Sequence, residues 1–272
     1  MSDFLGSMAV SSRLRADETK AVAGVTGLHR RVSSARPPIE LTLDDSGFDL
    51  IAETKLSSPA DGRLAPLGEA TSLATSLATR LAGAGPAALS VLTEPTSFDG
   101  AIEHLGAVAS ISDLPVMRKD FLVDPIQVLE ARASGASGVL LIARMLEEDL
   151  LGEMTDLAIE LGMFVLVEIF ELSDLDRATS TFDREILVGV NARDLQSLQV
   201  DRRRHEELLP HLPTHLPLVA ESGIVTVDDV AAVSELGYRL ALVGTSLVKS
   251  HDPEATTRSL IEAGRTAAGV RL

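Results

Sequence analysis

Eight short apolar runs punctuate the chain: 50–54 (LIAET), 88–92 (ALSVL), 115–118 (PVMR), 138–142 (GVLLI), 164–168 (FVLVE), 186–190 (ILVGV), 217–220 (PLVA) and 240–243 (LALV). They are rich in Val, Ile and Leu and too short for ordinary helices. Near-continuous runs of this kind suit parallel strands covered on both faces. Between them the period changes. Residues 146–161 place Leu150, Met154, Leu157 and Leu161 three and four apart, with Glu147, Glu148 and Asp149 in the first turn, where acids favour the helix dipole. Residues 125–134 and 227–236 also read as helices, closed by Gly135 and Gly237. This alternation predicts an α/β fold with a parallel sheet and right-handed crossovers, and eight units predict a closed (β/α)8 TIM barrel. No repeat is visible at the residue level.

Residues 1–48 precede the first strand and are broken by Pro37-Pro38. They predict one or two helices lying against the barrel, then a loop. The expected organisation is an N-terminal helical extension over 1–48, capping a barrel catalytic domain over 49–272.

Alternate residues of a barrel strand point inward. The inward series are Ile51-Glu53-Lys55, Met117-Lys119, Phe164-Leu166-Glu168, Leu187-Gly189-Asn191 with Arg193 just beyond, and Pro217-Val219-Glu221. Each is apolar until its C-terminal end and then turns polar or charged, and barrel active sites sit at that end. One such residue is ordinarily a solvated strand end; five strands doing it together on one face predict a site. Packed carboxylates and lysines there perturb one another's protonation, which is how acid–base pairs are tuned. After the seventh and eighth strands come Glu221-Ser222-Gly223-Ile224 and Gly244-Thr245-Ser246. Glycines there let backbone N–H groups approach an anion, the usual phosphate position in such barrels.

Composition narrows the reading. The 272 residues include no cysteine, which excludes disulfides and thiolate metal sites and suits a reducing cytoplasm. No basic region followed by an apolar stretch opens the chain and no apolar run approaches a membrane span, so neither a signal peptide nor a membrane partner is expected. The net charge of −16 opposes nucleic acid. Arg202-Arg203-Arg204, set among Asp201, Glu206 and Glu207, reads as a solvated helix start. An anionic substrate must therefore find local positive charge in the site. Gly83-Ala84-Gly85 precedes a strand instead of following one, so it is no dinucleotide loop. His211 and His215 flank Pro213, which breaks the helix needed to aim both at one metal, and they read as surface residues.

The stretches IAETKLSSPADG, SVLTEPTSFDG, MRKDF with its downstream DPIQ, VLVEIF, VNARDL, VAESGI and LVGTSLVK resemble the indole-3-glycerol phosphate synthases, over about residues 49 to 253. The resemblance implies ring closure of 1-(2-carboxyphenylamino)-1-deoxyribulose 5-phosphate with loss of carbon dioxide and water, a carboxy-lyase step of tryptophan biosynthesis. It implies no cofactor and no metal. Lys119 is implied as the acid that protonates the ketone and Glu168 as the base of the dehydration. Lys55 would stand near the substrate carboxylate as a further proton donor. Glu53 would orient the lysines, and Asn191 and Arg193 would bind hydroxyls and the carboxylate. Ser58, Ser222, Gly223, Gly244 and Thr245 would hold the phosphate, with Glu221 beside them in the substrate-binding set. Phe98, Phe121 and Leu140 would wall the aromatic ring.

The resemblance also has a weak point. Bacterial members usually read Lys-Arg-x-Ser-Pro-Ser-Lys-Gly after the first strand, whereas this chain reads Lys55-Leu56-Ser57-Ser58-Pro59-Ala60-Asp61-Gly62. That loop opens two alternatives: a paralogue with altered substrate or a non-catalytic ligand-binding role, or a phosphoribosylanthranilate isomerase-like barrel. The chain is expected to be a cytoplasmic monomer or weak homo-oligomer whose partner is a small phosphorylated, anthranilate-derived substrate.

Overall fold

The computed structural model describes residues 4–60, 62–64, 69–194 and 197–269. The barrel strands are β1 (Asp49–Thr54), β2 (Ala88–Leu92), β3 (Val116–Lys119), β4 (Gly138–Ile142), β5 (Phe164–Ile169), β6 (Leu187–Asn191), β7 (Leu218–Glu221) and β8 (Leu240–Val243). Each pairs in parallel with its sequence neighbour, and β1 pairs with β8 to close the ring, Asp49 opposite Leu240. The predicted runs fall within one residue of these strands. Three start one residue late, two of them because Pro115 and Pro217 have no N–H for the ladder. Their carbonyls still accept from Leu89 N–H (2.9 Å) and Val188 N–H (3.1 Å).

The α-helices in chain order are α1 (Phe4–Val22), α2 (Gly24–Ser34), α3 (Ala70–Ala82), α4 (Pro95–Phe98), α5 (Ile102–Ile111), α6 (Pro125–Ala133), α7 (Glu148–Glu160), α8 (Leu172–Ala178), α9 (Arg203–Leu208), α10 (Val227–Leu236), α11 (Thr245–Lys249) and α12 (Pro253–Gly269). Local chemistry sets their ends. The α6 helix begins with Pro125 in its first turn and Asp124 capping the Ile126 N–H at 3.0 Å. The α10 helix starts on a reciprocal Thr226–Asp229 capping box and stops at Gly237, held left-handed at φ 113°. The α7 helix begins two residues later than its periodicity predicts, because Leu146 and Glu147 are extended after a 3-10 turn over Ala143–Met145.

Period-2 alternation divides the core in two. Ile51, Met117, Leu140, Leu166, Leu187 and Val219 fill the barrel interior. Their neighbours Leu50, Ala52, Val139, Leu141, Val165 and Val167 face the helices and form the larger outer layer. With 3% aromatic content, branched aliphatics carry nearly all of this packing.

The first two helices sit against the α6 side of the barrel. Leu28 of α2 packs with Ile126 and Leu129 of α6. Phe4, Leu5 and Met8 of α1 join the interior cluster at Phe121, where the Phe4 and Phe121 rings meet edge-on at 5.9 Å. Among the described residues no helix is long and apolar enough to cross a membrane.

Candidate active site

The last inward residue of β1, β3, β5, β6 or β7 lies at the C-terminal end of its strand, so these side chains converge on one mouth. There a cavity of about 840 Å³ is lined by Glu53, Lys55, Lys119, Glu168, Asn191 and Glu221. Arg193, Ser222, Gly223, Gly244 and Thr245 line it as well, and Phe98, Phe121 and Leu140 supply apolar wall. Phe98 and Phe121 stand 6.2 Å apart, tilted at 37°. Ser58 is buried but is not among the lining residues. The loop after β1 folds onto itself: Ser57–Ser58 pairs with Gly62–Arg63, and the Leu64 N–H donates to the Leu56 carbonyl at 2.8 Å. Leu56 is buried within this turn. Asp61, whose charge distinguishes the loop, lies outside the described residues.

Two ammonium groups and three carboxylates organise the centre. The Lys55 Nζ pairs with Glu53 at 2.9 Å. The Lys119 Nζ stands between Glu168 and Glu221, 3.4 Å from one oxygen of each. Asn191 donates from Nδ2 to the same Glu168 oxygen at 3.1 Å, while its Oδ1 accepts the Arg193 N–H at 2.9 Å. Burial by itself would lower the Lys119 pKa, but Glu168, Glu221 and Glu53 outweigh it and hold the ammonium raised and charged. Glu221 moves the other way. Burial, then the charge of Glu168, push its carboxyl well above the usual carboxylate range, against the pull of Lys119.

Two glycines make room for these carboxylates. A Cβ on Gly189 would lie 2.2 Å from Glu221 Oε1, and one on Gly244 would lie 2.2 Å from Glu53 Oε1. Gly244 thus serves its neighbour on β1 as well as the cavity rim. Ser222 and Gly223 are both left-handed, at φ 63° and 78°, and turn the chain sharply after Glu221.

Sequence reasoning missed several supports. The Arg202–Arg204 run is more than a solvated helix start. Arg202 and Arg203 are both exposed as that reading expects, Arg203 pairing with Asp201 at 2.7 Å. Arg202 lines the cavity, lies over Gly223 and pairs with Asp229, and Arg204 donates to the Asn191 carbonyl at 2.9 Å. His205 is buried behind the site, its Nε2 3.2 Å from the Glu221 carbonyl. Burial first lowers its pKa, which keeps the ring neutral. Lys249 of α11 also lines the cavity. His211 and His215 are exposed, as their positions around Pro213 predict.

A buried network backs Lys119 from outside the barrel. Asp120, the next residue, accepts two bonds from Arg15 of α1 (2.7 and 2.9 Å), one from the Thr93 hydroxyl (2.7 Å) and one from Arg118 (3.2 Å). Arg118 also reaches Glu130 at 2.8 Å, and Thr19 of α1 donates to the same carboxylate at 2.7 Å. Burial opposes the Asp120 charge, yet Arg15, Arg118 and Thr93 bring its pKa down to about 2.

Comparison with known proteins adds an independent line. Residues 13–260 match the family described as indole-3-glycerol phosphate synthase. The chain is 38% identical over 247 residues to an indole-3-glycerol phosphate synthase of Mycobacterium sp. (strain KMS), spanning 90% of this chain and 89% of that one. It is 37% identical over 267 residues to that of Azospirillum brasilense, spanning 96% and 100%. Among solved structures, 3-hexulose-6-phosphate synthase from Salmonella typhimurium superposes with a TM-score of 0.64 at 13% identity, over 81% of this chain and 100% of that one. KGPDC from Streptococcus mutans also gives 0.64, at 12% identity, over 83% and 99%. At such identities the structural likeness speaks for the barrel alone. The match across residues 13–260 and the two long alignments carry more: this chain belongs to the indole-3-glycerol phosphate synthase family.

Proposed function

We propose that this protein closes the indole ring of 1-(2-carboxyphenylamino)-1-deoxyribulose 5-phosphate, releasing carbon dioxide and water, as a lyase of tryptophan biosynthesis. The observation that carries the reading is the Lys119 ammonium held 3.4 Å from both Glu168 and Glu221 beside an apolar wall.

Attack of the aryl carbon on the ketone builds charge on the ketone oxygen, and Lys119 delivers a proton there. A positioned acid of this kind contributes about 10²–10⁴-fold. Breaking the bond to the carboxyl group returns its electron pair to the ring, so rearomatisation drives the loss of carbon dioxide. Dehydration then needs a proton for the leaving hydroxyl and a base for the neighbouring carbon-bound proton. Lys55 is the second donor and Glu168 the base. Glu53, 2.9 Å from Lys55, keeps that ammonium aimed. Asn191 and Arg193 bind hydroxyls and the substrate carboxylate. Ser222, Gly223, Gly244 and Thr245 hold the phosphate. Phe98, Phe121 and Leu140 flank the anthranilate ring.

The small phosphorylated substrate is the only partner this reading needs. We place the protein in the cytoplasm, as a monomer or weak homo-oligomer that binds neither nucleic acid nor membrane.

The test is turnover. Purified protein given the linear aminoribulose phosphate should show indole absorbance rising, and Lys119→Ala should remove that rise while binding persists. Wild-type protein that leaves this substrate unchanged but isomerises its ribosylated-anthranilate precursor would reverse the assignment.

A further inference from the structure

Among the described residues, Glu221 is the carboxylate of the site whose surroundings do not suit a full negative charge. Other deeply buried acids are well supplied with donors. Asp174 takes bonds from Arg144 and the Phe170 N–H, Asp49 from Arg265 and the Asp44 N–H, and Glu94 from the Thr96 and Ser97 N–H groups. No donor among the described residues reaches Glu221 Oε1, which is sealed from solvent. Its Oε2 accepts from Lys119, which it shares with Glu168.

The groups that face it are few. From β3 comes Lys119 and from β5 Glu168, its direct neighbour. Asn191 of β6 is committed to Glu168, and Glu53 of β1 is paired with Lys55. Arg193 donates to the Leu198 carbonyl, and neutral His205 meets Glu221 at its backbone carbonyl. Two neighbouring carboxylates, each 3.4 Å from the Lys119 Nζ, thus share one ammonium. Like charges so placed cannot both ionise cheaply. Gly189 leaves room for this contact, because a Cβ there would collide with Glu221 Oε1.

We propose that Glu168 and Glu221 hold one proton between them in the resting site, carried by Glu221, and that Glu221 acts through this proton as a positioning residue for Lys119 and Glu168. The neutral carboxyl donates its O–H to Glu168 and turns a repulsion into a hydrogen bond. Lys119 then faces one adjacent full negative charge instead of two, and releases its proton to the ketone oxygen more readily. Glu168 stays ionised and oriented, free to take the carbon-bound proton later. The proton on Glu221 is not transferred to substrate and needs no replacement between turnovers.

The first half of this inference concerns the free protein; the second rests on the ring-closing reading above. Two measurements separate them. Infrared or carboxyl-carbon NMR spectra of ligand-free protein should show a protonated carboxylic acid at neutral pH. That signal should disappear on raising the pH and be absent from Glu221→Gln. No such signal in the wild type, or one that survives in Glu221→Gln, overturns the shared proton whatever the enzyme's substrate. The wild-type titration decides this even where the variant folds poorly.

The kinetic arm compares kcat profiles. Wild-type turnover should fall at alkaline pH as the pair loses its proton. Glu221→Gln, a permanently neutral isostere, should lack that fall, whereas Glu168→Gln loses about 10²–10⁴-fold at every pH. A Glu221→Gln profile that keeps the wild-type alkaline fall overturns the tuning of Lys119.

Discussion

Arg15 of the first helix grips Asp120 with both terminal nitrogens, at 2.7 and 2.9 Å, across 105 residues of sequence. Asp120 follows Lys119, so a side chain of the N-terminal extension anchors the strand end that carries the proposed acid. Arg15→Ala would leave Asp120 with Arg118 and Thr93 but without its bidentate partner. A lost charged partner of a largely buried group costs about 1–3 kcal/mol. The expected outcome is a lower melting temperature together with slower turnover. Arg15→Lys should recover only part of both, since an ammonium cannot reproduce the fork. Calorimetry and steady-state kinetics on the two variants check this.

The same carboxylate predicts an acid limb of stability. Its folded pKa of about 2 lies below the ordinary 3.8, so the native state binds this proton less readily than the unfolded chain. The stabilisation is therefore complete above about pH 4 and is lost as the pH falls toward 2, amounting to about 2 kcal/mol. Asp120→Asn should flatten that limb in denaturant titrations. It should also destabilise at neutral pH, because Arg15 and Arg118 lose their shared counter-charge.

Glu221 has the opposite sign. Its folded pKa is raised, so its contribution is most favourable at low pH and declines as the pH rises through the folded value. Glu221→Gln should accordingly gain stability relative to wild type as the pH increases. Thermal melts from the ordinary carboxyl value of 4.5 upward test this directly, and a constant difference at all pH values would contradict it.

Gly189→Ala isolates the steric part of the design. The new methyl would overlap Glu221 Oε1 at 2.2 Å and approach Leu166 Cδ1 at 3.0 Å. Overpacking of this sort costs about 1–3 kcal/mol. Displacing Glu221 from Lys119 should slow turnover by about 10²-fold, the order expected for a misplacement near 1 Å. Substrate KM should change less, because the phosphate end is untouched. Full kinetics on Gly189→Ala distinguish the two terms.

Much of this was legible in the sequence, for identifiable reasons. Ile51 and Glu53 share a face because strand side chains alternate, so the inward charged rim could be read from spacing. The ends of α10 could be read because Gly237 occupies a left-handed position. What escaped depends on the third dimension. Nothing near Arg15 signals Asp120, and the alternation that puts Glu168 and Glu221 on one rim does not show that they share Lys119. Arg204 sits among acids that suggest a solvated face, yet α9 turns it back to the Asn191 carbonyl at the end of β6.

The ring closes by pairing β1 with β8, and that seam places Gly244 against Glu53. The first barrel strand must therefore wait for the last before its carboxylate is seated against Gly244. An N-terminal fragment that lacks β8 has no Gly244 against which Glu53 can pack. Enzymatic competence should consequently appear as a late event of folding, after the bulk of the hydrophobic interior has formed, and should lag behind the recovery of secondary structure during refolding.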